Sequence, residues 1–331
     1  AVAEAAVLPR VTARLVQAVA WDRMGRDPAI SHDEDAWVEQ ITQRVVGHRR
    51  TIREIVRALI AYEKRLVRPG KTPIVTPFVA VLGGPPGVGK TSLAEAVQAV
   101  CFPGDGELLK IEGADFKRHE HLARLLGSPP GYVGHGGDGG ELIQHLKNHP
   151  RCVVEVSEPE DGVVELLTRV VRPMLTGAIK SNEGGGAITT RGVSLFLTTN
   201  ADCVGRPRPA GIETSASPRE TALAGRVSAI RGVFPARVFS RIGESNVFLV
   251  DSLSRAELLE VARRLLTDVQ DRMRITLHVE AGVPEVVVDG ASGVERNGVP
   301  SLQRAIERLV EQPLLEWLRR HPGSREALLR P

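Results

Sequence analysis

Residues 83–92 read GGPPGVGKTS. Gly84, Pro85, Pro86, Gly87, Val88, Gly89, Lys90 and Thr91 fill the phosphate-binding pattern G-x-x-x-x-G-K-[ST], and Ser92 follows directly. Each residue type has a physical task. Glycine has no Cβ, so the backbone can come close to a phosphate and turn its N–H groups inward. Lys90 offers a point charge for the outer phosphates, and the Thr91 hydroxyl is a ligand for magnesium. The flanks suit the motif. Phe78-Val79-Ala80-Val81-Leu82 is an apolar run of strand type, and Leu93, Val97 and Val100 recur at helical spacing behind the loop. Strand, loop and helix in that order place a helix N-terminus against the phosphates. This stretch alone predicts a nucleotide site.

The rest of the composition narrows the class. At 331 residues the chain suits one large domain and a small one. Its formal net charge of +3 comes from interspersed lysines, arginines and acids rather than a basic block, so no nucleic-acid partner is expected. The cysteines (Cys101, Cys152 and Cys203) are odd in number and form no C-x-x-C pair, which favours a reducing compartment and a cytoplasmic protein. No apolar run has membrane-spanning length, so no membrane partner is expected.

Around the loop, strand and helix patterns alternate. Leu108–Glu112, Cys152–Val156, Val193–Thr199 and Val247–Val250 join Phe78–Leu82 as strands, which predicts an α/β fold with a parallel sheet covered on both faces. Ligands sit at the carboxyl ends of such strands, so Ser157, Glu158 and Asn200 are expected beside the nucleotide. We divide the chain into a helical linker (1–44), a large α/β nucleotide-binding domain (45–250) and a small, mainly helical C-terminal lid (251–331). The lid is read as a helix from Arg255 to Leu266, a strand at 275–279 and one last helix from Leu302 to Leu318, with no convincing strand after Arg320.

Five stretches in order carry a resemblance: Val45-Val46-Gly47-His48, GPPGVGKT at 84–91, LLGSPPGYVG at 125–134, LTTN at 197–200, and Phe234-Pro235 with Phe239-Ser240-Arg241-Ile242. Together they resemble the AAA+ P-loop module of the Clp/heat-shock unfoldase family, most of all the second ATPase ring of its ClpB and ClpV members. The likeness covers about residues 40–320, and the segment 11–28 looks like the linker leading into that ring. The resemblance implies ATP and Mg2+ as cofactors, a homo-oligomeric ring that is hexameric in the family's manner, and a protein substrate. It also implies residue roles. Val45, Val46 and Gly47 would border the adenine; Glu158 would polarise the attacking water, with Asn200 helping to position it; Arg241 would reach across a subunit boundary; Tyr132 and Val133 would grip polypeptide in a central pore.

Residue chemistry leaves alternatives open at several of these positions. Glu160 and Asp161 compete with Glu158 in the run SEPED, Asn200 also suits a turn, Arg231 and Arg237 lie near Arg241, and Tyr132 could pack on its own Pro-Gly turn. Two departures from the family pattern bear on rate. An acidic pair normally ends the third strand, where this chain has Ser157-Glu158; a neutral Ser157 is a weak magnesium ligand, acting through water. Glu155 shares its strand face and could partly compensate. The lid's usual Gly-Ala-Arg is here Gly298-Val299-Pro300, which removes a charge unless Arg296 or Arg304 replaces it. The segment after Asn200 shows no obvious hydrophobic-Gly-hydrophobic tripeptide of the kind that docks Clp unfoldases onto their protease, so no protease partner is expected. The expected activity is ATP-dependent protein remodelling with weakened hydrolysis; the alternative is an ATP-binding assembly or regulatory subunit that hardly turns over.

Overall fold

The structure, a computed structural model, describes residues 33–67, 76–104, 108–128, 139–184, 186–201 and 218–331. Helix α1 (Glu34–Arg44) starts where Asp33 accepts the Ala36 N–H at 3.1 Å. Its first turn carries Glu34 and Asp35 and its last Arg44, charges that complement the helix dipole. Helix α2 (Arg49–Val67) follows, then β1 (Phe78–Gly83), the phosphate loop and α3 (Lys90–Cys101). Next come β2 (Leu109–Glu112), α4 (Glu141–Asn148), β3 (Cys152–Ser157) and a small antiparallel pair, β4 (Ala178–Ile179) with β5 (Ile188–Thr189). Strand β6 (Val193–Thr199), helices α5 (Pro218–Val233) and α6 (Ala236–Ile242) and strand β7 (Val247–Leu249) complete the main sheet and its cover.

The sheet runs β2-β3-β6-β1-β7 with every neighbour parallel. Pleating divides its side chains between two apolar layers. Val79, Val81, Val154, Val156, Leu195 and Leu197 face α4 and α6, while Phe78, Ala80, Leu82, Val153 and Phe196 face α1, α2 and α3. Phe196 is fully buried, and each aromatic or aliphatic side chain of this depth contributes about 1.5–3 kcal/mol of burial. Glu155 and Ser157 stand on the second face, toward α3 and the phosphate loop. The five strands expected from the sequence are these five, and the fold is α/β with a helical C-terminal region.

That region has its own apolar cluster, built from α7 (Arg255–Met273), β8 (Thr276–Val279), α8 (Val283–Gly290), α9 (Val299–Ile306), α10 (Gln312–Arg320) and β9 (Glu326–Leu329). A capping box fixes the start of α7: Ser254 accepts the Glu257 N–H, and Glu257 returns the bond to the Ser254 N–H at 2.7 Å. Two sequence expectations fail here. The last helix carries a π-helical segment at Glu307–Glu311 that splits it into α9 and α10, with Gln312 between it and Pro313, whose missing N–H removes a bond from the ladder. The C-terminal strand expected to be absent is present as β9, parallel to β8. The run Glu326-Ala327-Leu328-Leu329 holds no β-branched or aromatic residue, so propensity is silent, and pairing with β8 plus burial of Ala327 decides. No helix among the described residues is long and apolar enough to cross a membrane.

Candidate functional site

The phosphate loop leaves β1 in close contact with its neighbours. Gly84 donates to Thr199 O at 3.2 Å, and a Cβ on Gly84 would stand 2.1 Å from Val250 O. Further along, four loop carbonyls are engaged by other groups. Gly84 O and Pro85 O each accept from Lys90 Nζ at 2.7 Å. Gly87 O accepts the Val299 N–H at 2.9 Å, and Val88 O lies 2.8 Å from His48 Nε2. A peptide plane holds its C=O and the following N–H on opposite sides, so engaging the carbonyls of Gly87 and Val88 aims the N–H groups of Val88 and Gly89 the other way. Gly87 (φ +71°) and Gly89 (φ +98°) supply the left-handed turns this path needs.

Strands β3 and β6 bring the polar residues together. Lys90 Nζ also donates to Asn200 Oδ1 at 2.7 Å, and Asn200 Nδ2 donates to Glu158 Oε1 at 2.6 Å. Glu158 is held in the left-handed region (φ +46°, ψ +55°) by its N–H on Thr198 O at 3.0 Å. Strain of that kind costs about 1–3 kcal/mol and gathers at functional sites. One step deeper, Thr91 Oγ1 donates to Glu155 Oε1 at 2.7 Å, and Ser157 Oγ donates to the same oxygen at 3.1 Å. Glu155 is fully buried, and burial pushes its carboxyl above the usual range against the pull of those two hydroxyls. Helix α3 fixes β3 beside it, because Gln98 Oε1 accepts the Val153 N–H at 2.6 Å. Thr91, Glu155 and Ser157 form an all-oxygen set, the chemistry that suits a hard cation such as magnesium.

Besides the Val299 bond to Gly87 O, the C-terminal region meets the loop by close packing. A Cβ on Gly87 would come within 2.2 Å of Asn297 O and 2.6 Å of Pro300 Cδ. One on Gly298 would come within 2.4 Å of Gly87 O. Of the two arginines considered as replacements for the charge missing at Pro300, Arg304 donates to Ser301 Oγ at 3.2 Å. The side chain of Arg296 lies outside the described residues.

A family model described as "AAA domain (Cdc48 subfamily)" matches residues 77–228, the stretch from β1 into α5. The chain is 28% identical over 276 residues to Chaperone protein ClpB 1 of Nostoc sp. (strain PCC 7120), covering 82% of this chain and 30% of that protein. It is 27% identical over 292 residues to the chloroplastic Chaperone protein ClpC1 of Arabidopsis thaliana, covering 84% of this chain and 30% of the relative. Heat shock protein hsp98 of Neurospora crassa is 26% identical over 278 residues, with 82% and 29% covered. The chain carries an AAA+ module of the Clp/heat-shock kind. It spans about 30% of the length of the curated relatives it matches.

Within this Clp-type module, Lys90, Asn200 and Glu158 form one hydrogen-bonded chain, while Thr91 and Ser157 meet at Glu155. Glu160, one rival of Glu158, instead accepts from Thr199 Oγ1. Arg241 is exposed on α6, whose buried Val238, Phe239 and Ile242 anchor it. Its neighbour Arg231 lies over the Phe239 ring and 3.7 Å from Glu244. The Val45-Val46-Gly47 turn packs between loop and C-terminal region: a Cβ on Gly47 would stand 2.6 Å from Glu257 Oε1. Tyr132 and Val133, and the segment 1–32, lie outside the described residues. Sequence reasoning named His48 only as part of a signature; its bond to Val88 O had no signal beyond the left-handed Gly47-His48 pair, which only coordinates reveal.

Proposed function

We propose that the module binds ATP with magnesium on the loop Gly84–Ser92 and hydrolyses it, driving remodelling of protein substrates from within a hexameric ring. The observation that carries this reading is the chain Lys90–Asn200–Glu158, which joins a phosphate-binding cation to a carboxylate at the end of β3. Lys90 would pair with the outer phosphates, and Asn200 and Glu158 would orient the water that attacks the terminal one. Magnesium, when bound, neutralises charge on the phosphate oxygens. Val45, Val46 and Gly47 would border the base, and Arg241, exposed on α6, would complete a neighbour's site. Tyr132 and Val133 would hold the translocating chain. We take the boundary between large domain and lid near residue 250, where the apolar cluster of the C-terminal region begins.

A second reading, an ATP-binding subunit that hardly hydrolyses, draws on Pro300, which offers the loop a ring carbon and no charge. Steady-state ATP hydrolysis separates the two, measured beside Lys90→Ala and Glu158→Gln. Turnover that falls by about 10²–10³ or more in both variants is the expected outcome. Turnover of the unmutated chain no higher than that of Lys90→Ala, with nucleotide still bound, would overturn hydrolysis and leave the second reading.

A further inference from the structure

We infer that Glu155 supplies the metal-holding carboxylate of this site, from one pleat further back on β3 than the strand end where Ser157 stands. The inference rests on the nucleotide reading above and deepens it. Phosphate-loop enzymes hold magnesium between the loop's Ser or Thr and an acid on a neighbouring strand. Position 157, the obvious place for that acid, offers only a hydroxyl.

The geometry shows how a residue two positions earlier can serve. Residues i and i+2 share a strand face and lie about 6.7 Å apart. Glutamate is one methylene longer than aspartate, and side chains on strands lean along the strand direction. Glu155 spans the gap, because its Oε1 accepts from Thr91 Oγ1 at 2.7 Å. Thr91 is the loop's own metal-binding hydroxyl. Serine at 157 makes this possible by being short: its hydroxyl donates to Oε1 at 3.1 Å rather than filling the space with a second carboxylate.

The second observation is an unmet oxygen. Glu155 is fully buried, the Thr91 and Ser157 hydroxyls both donate to Oε1, and Oε2 has no hydrogen-bond partner among the described residues. Buried polar atoms are nearly always paired, and an exception asks for an explanation. A cation shared with Thr91 provides one: it compensates a carboxylate that burial otherwise penalises. The bland alternative is a polar plug that merely sets the Thr91 rotamer.

The test is the ratio of ADP affinity in excess Mg2+ to ADP affinity in EDTA, measured by calorimetry, with thermal melting in parallel. Losing a ligand or its supporting shell typically costs 10–100-fold in metal affinity. Glu155→Gln keeps the shape and one acceptor for Thr91, so the ratio should fall 10–100-fold, and adding Ser157→Asp to that variant should restore it. An unchanged ratio in Glu155→Gln, whether or not melting shifts, overturns the inference in favour of the plug. Should Glu155→Gln not fold, Glu155→Asp keeps the charge and withdraws it by one methylene. A lowered ratio there supports the inference, and an unchanged one overturns it. If the unmutated chain binds ADP in neither condition, the nucleotide reading itself falls.

Discussion

Two of the chain's glycine-rich loops differ in what frames their described residues. The phosphate loop is held along its length: Gly84 and Pro85 by Lys90, Gly87 by Val299, Val88 by His48. In the second, 127–140, one side chain bridges the two described stems. Glu183 accepts the Ser128 N–H through Oε1 at 3.2 Å and the Gly139 N–H through Oε2 at 3.1 Å. Its neighbours reinforce the nearer stem, with Ser181 Oγ and the Asn182 N–H both on Leu126 O, at 3.0 and 2.8 Å. Glycine content alone does not distinguish the loops. Among the described residues the distinction lies in what grips them: carbonyl by carbonyl along the phosphate loop, where fixed amides must meet a ligand, and by a bridging carboxylate at the two stems of the second.

The comparison breaks first at Gly87. Its left-handed φ and the 2.2 Å approach of a Cβ to Asn297 O mean that Gly87→Ala strains the loop and pushes the C-terminal region away at once. We expect a loss of about 2–4 kcal/mol in stability together with weaker nucleotide binding. Melting and titration with ATP in parallel check it. An alanine tolerated without change in either would mean that the contact with Asn297 does not set the loop's shape.

The effect expected next in size concerns the other frame. Glu183→Ala leaves two backbone N–H groups without their acceptor at half-buried stems, which costs about 1–2 kcal/mol. Hydrogen exchange should quicken at 126–128 and 139–140 while ATP affinity stays as it was. Loss of ATP affinity in this variant would show that the two loops are coupled rather than separately framed.

How much of this was legible in the sequence depends on the range of the interaction. The sheet was, because Val153, Val154, Leu195, Phe196 and their neighbours are apolar runs too short for helices and punctuated by loop residues. The phosphate loop was, because its function constrains consecutive positions. Strand β9 was not, since Ala327 and Leu329 gain their places only from β8, some 50 residues earlier. Glu155 was only half legible: its shared face with Ser157 follows from period two, but its bond to Thr91 depends on how α3 lies across β3. Glu183 left no sign at all. A lone acid in a glycine-rich run reads as solvent-facing until both stems of a loop 44–55 residues upstream are seen to converge on it.

The smallest expected effect lies beneath the second loop and concerns pH. His145 on α4 lines the groove beside Gly127, Gly139 and Glu183, and its buried Nε2 has no hydrogen-bond partner among the described residues. Burial, then the neighbouring His149, push its pKa down to about 4, while Glu141 pulls the other way. The ring is therefore neutral in the folded chain at pH values where the unfolded chain, titrating near 6.5, has begun to bind a proton. Stability on this account is level above pH 6.5 and is lost as pH falls from 6.5 toward 4, because the unfolded state then holds more protons. His145→Gln, which cannot charge, should flatten that slope, and protection of the stems 126–128 and 139–140, relative to the intrinsic exchange rate at each pH, should no longer fall on acidification. Other groups titrate in the same window, so the measurement is the difference between the two proteins at each pH. Identical slopes would mean that His145 takes up its proton as readily in the folded chain as in the unfolded one, and that the base of the second loop is more open to water than its packing indicates.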